Sequence, residues 1–306
     1  MSLHTDLRST LPDTSIAVEF GVLTATLVCL TLWTRLVGRT ISAIVAPTVD
    51  GGLLATSLVS GLLSLAGLLL FAGAYVRLRD GNTGWRLPAA DDLPTVVAAA
   101  LTPLLLVAVT KLVGVATGVP YTDLMRTAIA ADAPLEPILL VAGLALLVGV
   151  PPLVVICQLL VQGSVVRVVN GDAAVVLTAL VAGFLLVSDT GGLATRPGRG
   201  RLAGVVAFAV LLGVAAFADA RTDRTSLRYA AIAPVPAFAV LVVLSGVAGV
   251  DTLAGGLFTL AHLATLAVAA AAYERTDSLP VPAVAYASLL LANQVVVVLE
   301  TGLGGW

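Results

Sequence analysis

Long apolar runs, interrupted by charged residues, glycine and proline, extend along almost the whole chain. A bilayer core about 30 Å thick is crossed by a helix of ~20 apolar residues, so such runs predict membrane-spanning helices. The candidate runs are residues 16–34, 52–76, 95–116, 136–150, 153–169, 173–188, 202–218, 229–250, 253–273 and 282–299. The predicted fold is therefore all-α, a polytopic transmembrane bundle of eight to ten helices.

Two joints decide the number of helices. The pair Pro151-Pro152 divides one long apolar stretch. Because proline has no backbone N–H and clashes with the preceding turn, it predicts a break between two short helices. Residues 37–49 include Arg39 and Pro47 and are too few to cross a bilayer, so they are predicted to form an interfacial segment.

The composition strengthens the membrane assignment. Of the 306 residues, 59% are hydrophobic and only 11% charged, whereas about a quarter of a soluble domain is charged. No charged segment between the runs has room for a soluble domain, so residues 1–306 are predicted to form a single integral membrane domain, multi-pass in the cell membrane. Membrane lipid is the expected partner. A net charge of −2 argues against nucleic acid, and the only cysteines, Cys29 and Cys157, lie in apolar runs where no disulfide is expected.

Polar side chains inside the runs are the candidates for function, since lipid penalises them. Glu19, Lys111 and Arg167 lie near helix ends, where long side chains extend to the interface, and are predicted to do so. His262 and Asn293 lie further inside and are predicted to form hydrogen bonds between helices. His262 has no second ligand at metal-binding spacing, so no metal and no cofactor are expected.

Two segments carry a resemblance to a known family. Residues 151–166 read Pro-Pro-Leu-Val-Val-Ile-Cys-Gln-Leu-Leu-Val-Gln-Gly-Ser-Val-Val, and residues 273–283 read Tyr-Glu-Arg-Thr-Asp-Ser-Leu-Pro-Val-Pro-Ala. The first resembles the Glu-Glu-Leu-Leu-Phe-Arg-Gly motif of the CPBP family, the CAAX-prenyl-protease and bacteriocin-processing intramembrane metalloproteases, also called Abi. The second resembles the turn before the helix with that family's last catalytic histidine. The resemblance covers residues 135–299.

The resemblance also shows where this chain departs from an active protease. The family's paired glutamates fall on Cys157 and Gln158, its arginine on Gln162 and its last histidine on Tyr286. The family's middle motif, Phe-x-x-x-His, has Ser188 at the histidine position after Phe184. Phe258 and His262 also have the spacing of that motif. They lie too close in sequence to Tyr273, however, for the family's usual helix to fit between the two motifs. Since a glutamine cannot act as a general base, no catalytic residue is expected.

Three hypotheses follow from these residues. The first is a catalytically inactive CPBP-like protein that acts as a membrane binding or scaffold protein for a membrane protein or lipidated peptide. The second is a small permease whose path is lined by Gln158, Gln162, His262 and Asn293. The third is a residual intramembrane peptidase that uses Cys157 or His262, because Cys157 would lie near a helix start that favours its thiolate.

Overall fold

The computed structural model describes residues 16–41, 43, 52–79, 85–127, 135–188, 191–195, 197–221 and 250–302, with isolated positions between 230 and 241. Nine helices are labelled here in chain order. They are α1 Ile16–Thr40, α2 Gly52–Leu78, α3 Leu93–Thr117, α4 Tyr121–Met125, α5 Leu135–Val154, α6 Gly171–Leu186, α7 Arg199–Arg221, α8 Leu253–Thr276 and α9 Pro280–Gly302. These residues contain no β-strand, and the all-α prediction is confirmed.

Seven of the described helical stretches are long and apolar enough to cross a membrane. They are Ile16–Thr40, Leu58–Leu78, Ala90–Thr117, Ile138–Val165, Arg199–Ala218, Leu253–Thr276 and Pro280–Thr301. Helix α6 is apolar but only 16 residues long. The protein is thus an integral, multi-pass membrane protein. The predicted total of eight to ten helices included residues 229–250, most of which lie outside the described residues.

The predicted break at Pro151-Pro152 is wrong. Helix α5 continues through both prolines, widens into a π-helical segment, Val155–Gln162, and ends with one α-turn at Gly163–Val165. Proline removes backbone donors, but π-type turns and neighbouring helices can satisfy the released carbonyl groups inside a membrane. The two predicted short helices are therefore one span. Likewise, α1 extends to Thr40, so the first part of the predicted interfacial segment 37–49 is helical and most of the rest lies outside the described residues.

Helix α8 forms the centre of the bundle. It packs against α3, α6 and α9, while α9 also contacts α3 and α5, and α1 contacts α2 and α7. The π segment contributes fully buried Ile156 and Leu160 to the same core as Leu266 of α8. Helix α7 is peripheral, because only 11% of its apolar window is buried, against 44% for α8.

Ion pairs hold the helix ends, which corrects one expectation. Glu19 of α1 is 1% exposed and accepts two hydrogen bonds from the Arg79 guanidinium, which follows α2. Lys111 Nζ of α3 lies 2.5 Å from the Glu300 carboxylate of α9. Glu19 and Lys111 are thus paired within the protein rather than extended to the interface, because a buried charge is tolerated when a counter-charge and hydrogen bonds accompany it.

Glycine permits the close approach of α1 and α2. A Cβ atom at Gly67 would overlap the indole ring of Trp33, whereas a Cβ at Gly73 on the same helix would have no atom within 4 Å. Small residues at such contacts let membrane helices pack through van der Waals forces.

We predict that Gly67→Ala destabilises the protein by about 1–3 kcal/mol, because Trp33 must leave its packed position. The matched variant Gly73→Ala is expected to be neutral or slightly stabilising, since alanine favours helix and nothing obstructs its methyl group. Thermal unfolding of both variants in detergent, followed by tryptophan fluorescence, measures the difference. Equal stability of the two variants would contradict the α1–α2 contact.

Candidate functional site

A polar cavity of about 690 Å³ opens at the end of the bundle where α2 and α8 finish. Its size lies within the range of about 300–1,000 Å³ that is usual for ligand sites. Four parts of the chain line it: the end of α2, Arg86 before α3, the π segment with the residues that follow, and the end of α8. The lining residues are Tyr75, Val76, Arg79, Arg86, Gln158, Leu159, Gln162, Gly163, Val166, Arg167, Tyr273, Glu274, Arg275 and Asp277.

Gln158 of the cavity lining belongs to a buried group that we call the Tyr286 cluster: Cys157, Gln158 and Tyr286. Gln158 Nε2 donates to Tyr286 Oη at 3.0 Å, and the Cys157 thiol interacts with the same tyrosine. All three side chains are at most 1% exposed. The π segment supplies the first two residues and α9 supplies the third, so residues far apart in sequence meet at one point.

Gln162, one turn beyond Gln158, is only half satisfied. Its Nε2 donates to the Ala270 carbonyl of α8 at 2.9 Å, which fixes the amide orientation, and its Oε1 has no hydrogen-bond partner among the described residues. Arg79 Nε also has no hydrogen-bond partner among the described residues, although the terminal nitrogens of Arg79 pair with Glu19. A buried polar atom without a partner costs about 1–3 kcal/mol.

Arginine dominates the charge of the polar cavity. Its lining contains Arg79, Arg86, Arg167 and Arg275, against two carboxylates, Glu274 and Asp277. Arg167 is half-buried and donates from Nη2 to the Arg79 carbonyl at 2.8 Å. Arg167, which was expected only to extend to the membrane interface, thus also forms a hydrogen bond within the protein.

Arg86, another residue of the cavity lining, binds the C-terminal end of α8. It donates to the carbonyl oxygens of Thr276 and Asp277, where α8 ends with Asp277 at a φ of 47°. Ser278 Oγ donates in return to the Arg86 carbonyl at 2.7 Å. Basic side chains stabilise the free carbonyl groups at helix ends, so Arg86 closes α8 and fixes the edge of the cavity.

Ser188, the position that the resemblance assigned to the middle histidine, follows the C-terminal end of α6. Its Oγ donates to the Gly192 carbonyl at 2.9 Å, and it is not among the residues that line the polar cavity.

His262 and Asn293, proposed as cavity-lining residues, belong to a separate group that we call the His262 cluster, with Tyr121. Tyr121 Oη donates to Asn293 Oδ1 at 2.6 Å, and Asn293 Nδ2 lies 3.3 Å from His262 Nε2. The other ring nitrogen, Nδ1, lies 2.7 Å from the Phe258 carbonyl. A neutral imidazole that donates from Nδ1 and accepts at Nε2 satisfies every bond, as expected for interhelical hydrogen bonding.

The Glu300 carboxylate closes the far side of the His262 cluster. It accepts hydrogen bonds from the backbone N–H groups of Tyr121 at 3.0 Å and Thr122 at 2.7 Å, besides its contact with Lys111. Burial, and secondly the nearby Glu300 charge, raise the pKa of the Tyr121 hydroxyl well above its usual range. Tyr121 therefore remains a neutral hydrogen-bond donor at physiological pH.

The polar cavity offers amides, arginines and the carboxylates of Glu274 and Asp277. The Tyr286 cluster contains neither a carboxylate nor an imidazole, and the described residues contain no group of three or more His, Cys, Asp or Glu side chains that could hold a metal ion. Sequence reasoning missed Tyr75, Arg79 and Arg275 as lining residues. The arginines were visible as charges between apolar runs, but only the fold shows which helix ends meet.

Comparisons with known proteins identify no relative: no family model, no curated protein and no solved structure matches this chain.

We predict that Tyr286→Phe destabilises the protein by about 1–3 kcal/mol, since the buried Gln158 amide loses its partner. The double variant Gln158→Leu/Tyr286→Phe should recover part of this loss, because no buried polar atom of the pair then lacks a bond. Thermal unfolding of the two single variants and the double variant forms a complete cycle. Additive effects would show that the two side chains do not interact.

Proposed function

We propose that this multi-pass protein binds a membrane-borne ligand in the polar cavity without hydrolysing it. In this proposal, residues 135–299 are a CPBP-like scaffold in the cell membrane that has lost its catalytic groups. The ligand would be a lipid, or a segment of a membrane protein or lipidated peptide.

The observation that carries the proposal is the meeting of Cys157, Gln158 and Tyr286. The resemblance assigns these positions to the paired glutamates and the last histidine of the protease motifs. A shared catalytic site would require the two motifs to converge, and Gln158 and Tyr286 are hydrogen-bonded although 128 positions separate them. Ser188 does not join them, which limits the support to two of the three motifs.

The side chains at this point favour binding over catalysis. Amide hydrolysis requires a group that activates water, and neither the Gln158 amide nor the neutral Tyr286 hydroxyl does so near neutral pH. The option of a nucleophilic Cys157 depended on a helix start beside it. Because α5 continues through Pro151-Pro152, Cys157 lies within a continuous helical span, and no N-terminal dipole favours its thiolate.

We predict that the unmodified protein, reconstituted in nanodiscs, leaves lipidated and transmembrane peptides intact. Mass spectrometry of the peptides after prolonged incubation measures this, with an active intramembrane protease as positive control. The double variant Gln158→Glu/Tyr286→His tests whether ionisable groups at these two positions restore peptide cleavage. Cleavage by the unmodified protein, lost on Gln158→Leu, would refute the binding proposal.

A second candidate function, a small permease, is favoured by a separate observation. An apolar cavity of about 400 Å³ lies toward the opposite end of α2, with Leu68, Pro152 and Ile156 in its lining. Ile156 faces this apolar cavity while Gln158 faces the polar cavity, so the π segment separates the two. The similarity between the Arg-Thr-Asp turns at Arg221 and Arg275 would fit a transporter repeat, but most of the first turn lies outside the described residues.

Labelling of Cys157 distinguishes the two functions. In a Cys29→Ala background, a membrane-impermeant thiol reagent should not modify Cys157, which is 1% exposed. Exposure of the π segment during alternating access would instead give steady labelling from one side. Gly163→Cys, in the polar cavity lining, serves as the accessible control. Labelling of Cys157 at a rate near that of the control would favour the permease.

A further inference from the structure

We infer that the polar cavity binds a phosphoryl group that also carries a hydrogen-bond donor, such as a hydroxyl or an amine, and that its source is the headgroup of an anionic phospholipid. The inference rests on the proposed function, which makes this cavity a binding site, and it adds the chemistry of the ligand.

Two buried polar atoms of residues in the cavity lining have no hydrogen-bond partner in the described part of the chain. Gln162 is 1% exposed, and its Oε1, a hydrogen-bond acceptor, has no partner among the described residues; Arg79 Nε, a donor, has none either. Both residues line the polar cavity. A simple anion would satisfy Arg79 and leave Gln162 unsatisfied, and a simple cation would do the reverse. A ligand with an anionic oxygen and a neighbouring O–H or N–H satisfies both.

Two further arginines, Arg167 and Arg275, line the same cavity. Arg167 is half-buried and held by the Arg79 carbonyl, while Arg275 is exposed at the rim. Among the described residues, Arg167 uses one of its five N–H donors, at Nη2. Arginine matches the geometry of phosphate oxygens, so Arg167 and Arg275 provide an inner and an outer contact along the entry to the cavity.

The apolar surroundings of the cavity favour a lipid over a soluble source of the phosphoryl group. The polar cavity opens among helix ends, and its lining includes Val76, Leu159 and Val166 as well as the arginines. On α2, which ends just before Arg79, Leu70 is 74% and Leu78 is 85% exposed. Such side chains contact acyl chains in a membrane protein, which places lipid beside the entrance. Basic pockets between membrane helices bind lipid headgroups by the same physics.

The test measures lipid binding by native mass spectrometry in three titrations. Phosphatidylglycerol offers an anion and hydroxyl donors, phosphatidylmethanol offers the anion without a donor, and phosphatidylcholine is zwitterionic without a donor. We expect phosphatidylglycerol to bind about fivefold more tightly than phosphatidylmethanol, the difference of one hydrogen bond, and both to bind more tightly than phosphatidylcholine.

Variants connect this preference to the cavity. Arg167→Gln should weaken the binding of both anionic lipids about tenfold, and Arg275→Gln by less, because its side chain is exposed. Gln162→Leu should remove the preference for phosphatidylglycerol over phosphatidylmethanol and leave the anion preference intact. Arg35→Gln, which removes an exposed arginine of α1 outside the cavity, is the matched control and should change nothing.

The outcomes are separable. Equal binding of phosphatidylglycerol by the unmodified protein, Arg167→Gln and Arg275→Gln would overturn the inference, as would equal affinity for all three lipids. Glycerol phosphate added to phosphatidylcholine nanodiscs tests the soluble source: binding that depends on Arg167, with no affinity for phosphatidylglycerol, would reject the lipid. If Arg167→Gln does not fold, Arg275→Gln and Gln162→Leu still decide the matter. Peptide cleavage by the unmodified protein would overturn the proposed function instead, whatever the lipid titrations give.

Discussion

The need to satisfy polar groups away from water is the constraint on which this structure depends. The bilayer core offers no hydrogen bonds, so each polar group in a span must find its partner inside the protein. The Tyr286 and His262 clusters meet this need almost completely, with each ring nitrogen of His262 in contact with one polar group. Five buried side-chain atoms among the described residues lack a partner, and two of them, Gln162 Oε1 and Arg79 Nε, belong to residues that line the polar cavity.

The π segment contributes residues to both cavities. A regular α-helix through residues 155–162 would give its side chains a different rotation about the helix axis. Wider turns after Pro151-Pro152 direct Ile156 toward the apolar cavity and Gln158 and Gln162 toward the polar one. π-type turns are rare in proteins, and those that occur are often found at functional sites. The position of this segment between two cavities agrees with that tendency. The same continuity of α5 removes the helix start that a reactive Cys157 would have used.

Binding and catalysis impose opposite demands on this position. A protease needs ionisable groups that change protonation, and such groups are costly to bury in a membrane. Glutamine, tyrosine and cysteine retain hydrogen bonding between the π segment and α9 while they avoid buried charge. The arginines lie at the helix ends instead, where Glu19 and the carbonyl groups of Thr276 and Asp277 stabilise two of them. The lining of the polar cavity thus combines the neutral amides of the π segment with arginines from the helix ends.

The sequence alone determined the class of the protein, because the length and apolarity of its runs allow only membrane helices. It also predicted that His262 and Asn293 serve interhelical hydrogen bonds, since a lone histidine has no metal ligands near it. It could not show that the Pro-Pro pair is tolerated, because that depends on neighbouring helices and on a π turn that no local pattern reveals.

Only the tertiary structure decided which polar residues share a site. It brought Gln158 to Tyr286, placed Ser188 outside the lining of the polar cavity, and separated His262 from the polar cavity. Helix periodicity fixes which face a residue occupies but not which face of another helix lies opposite. That choice is made by packing, through contacts such as Gly67 with Trp33 that depend on the whole bundle.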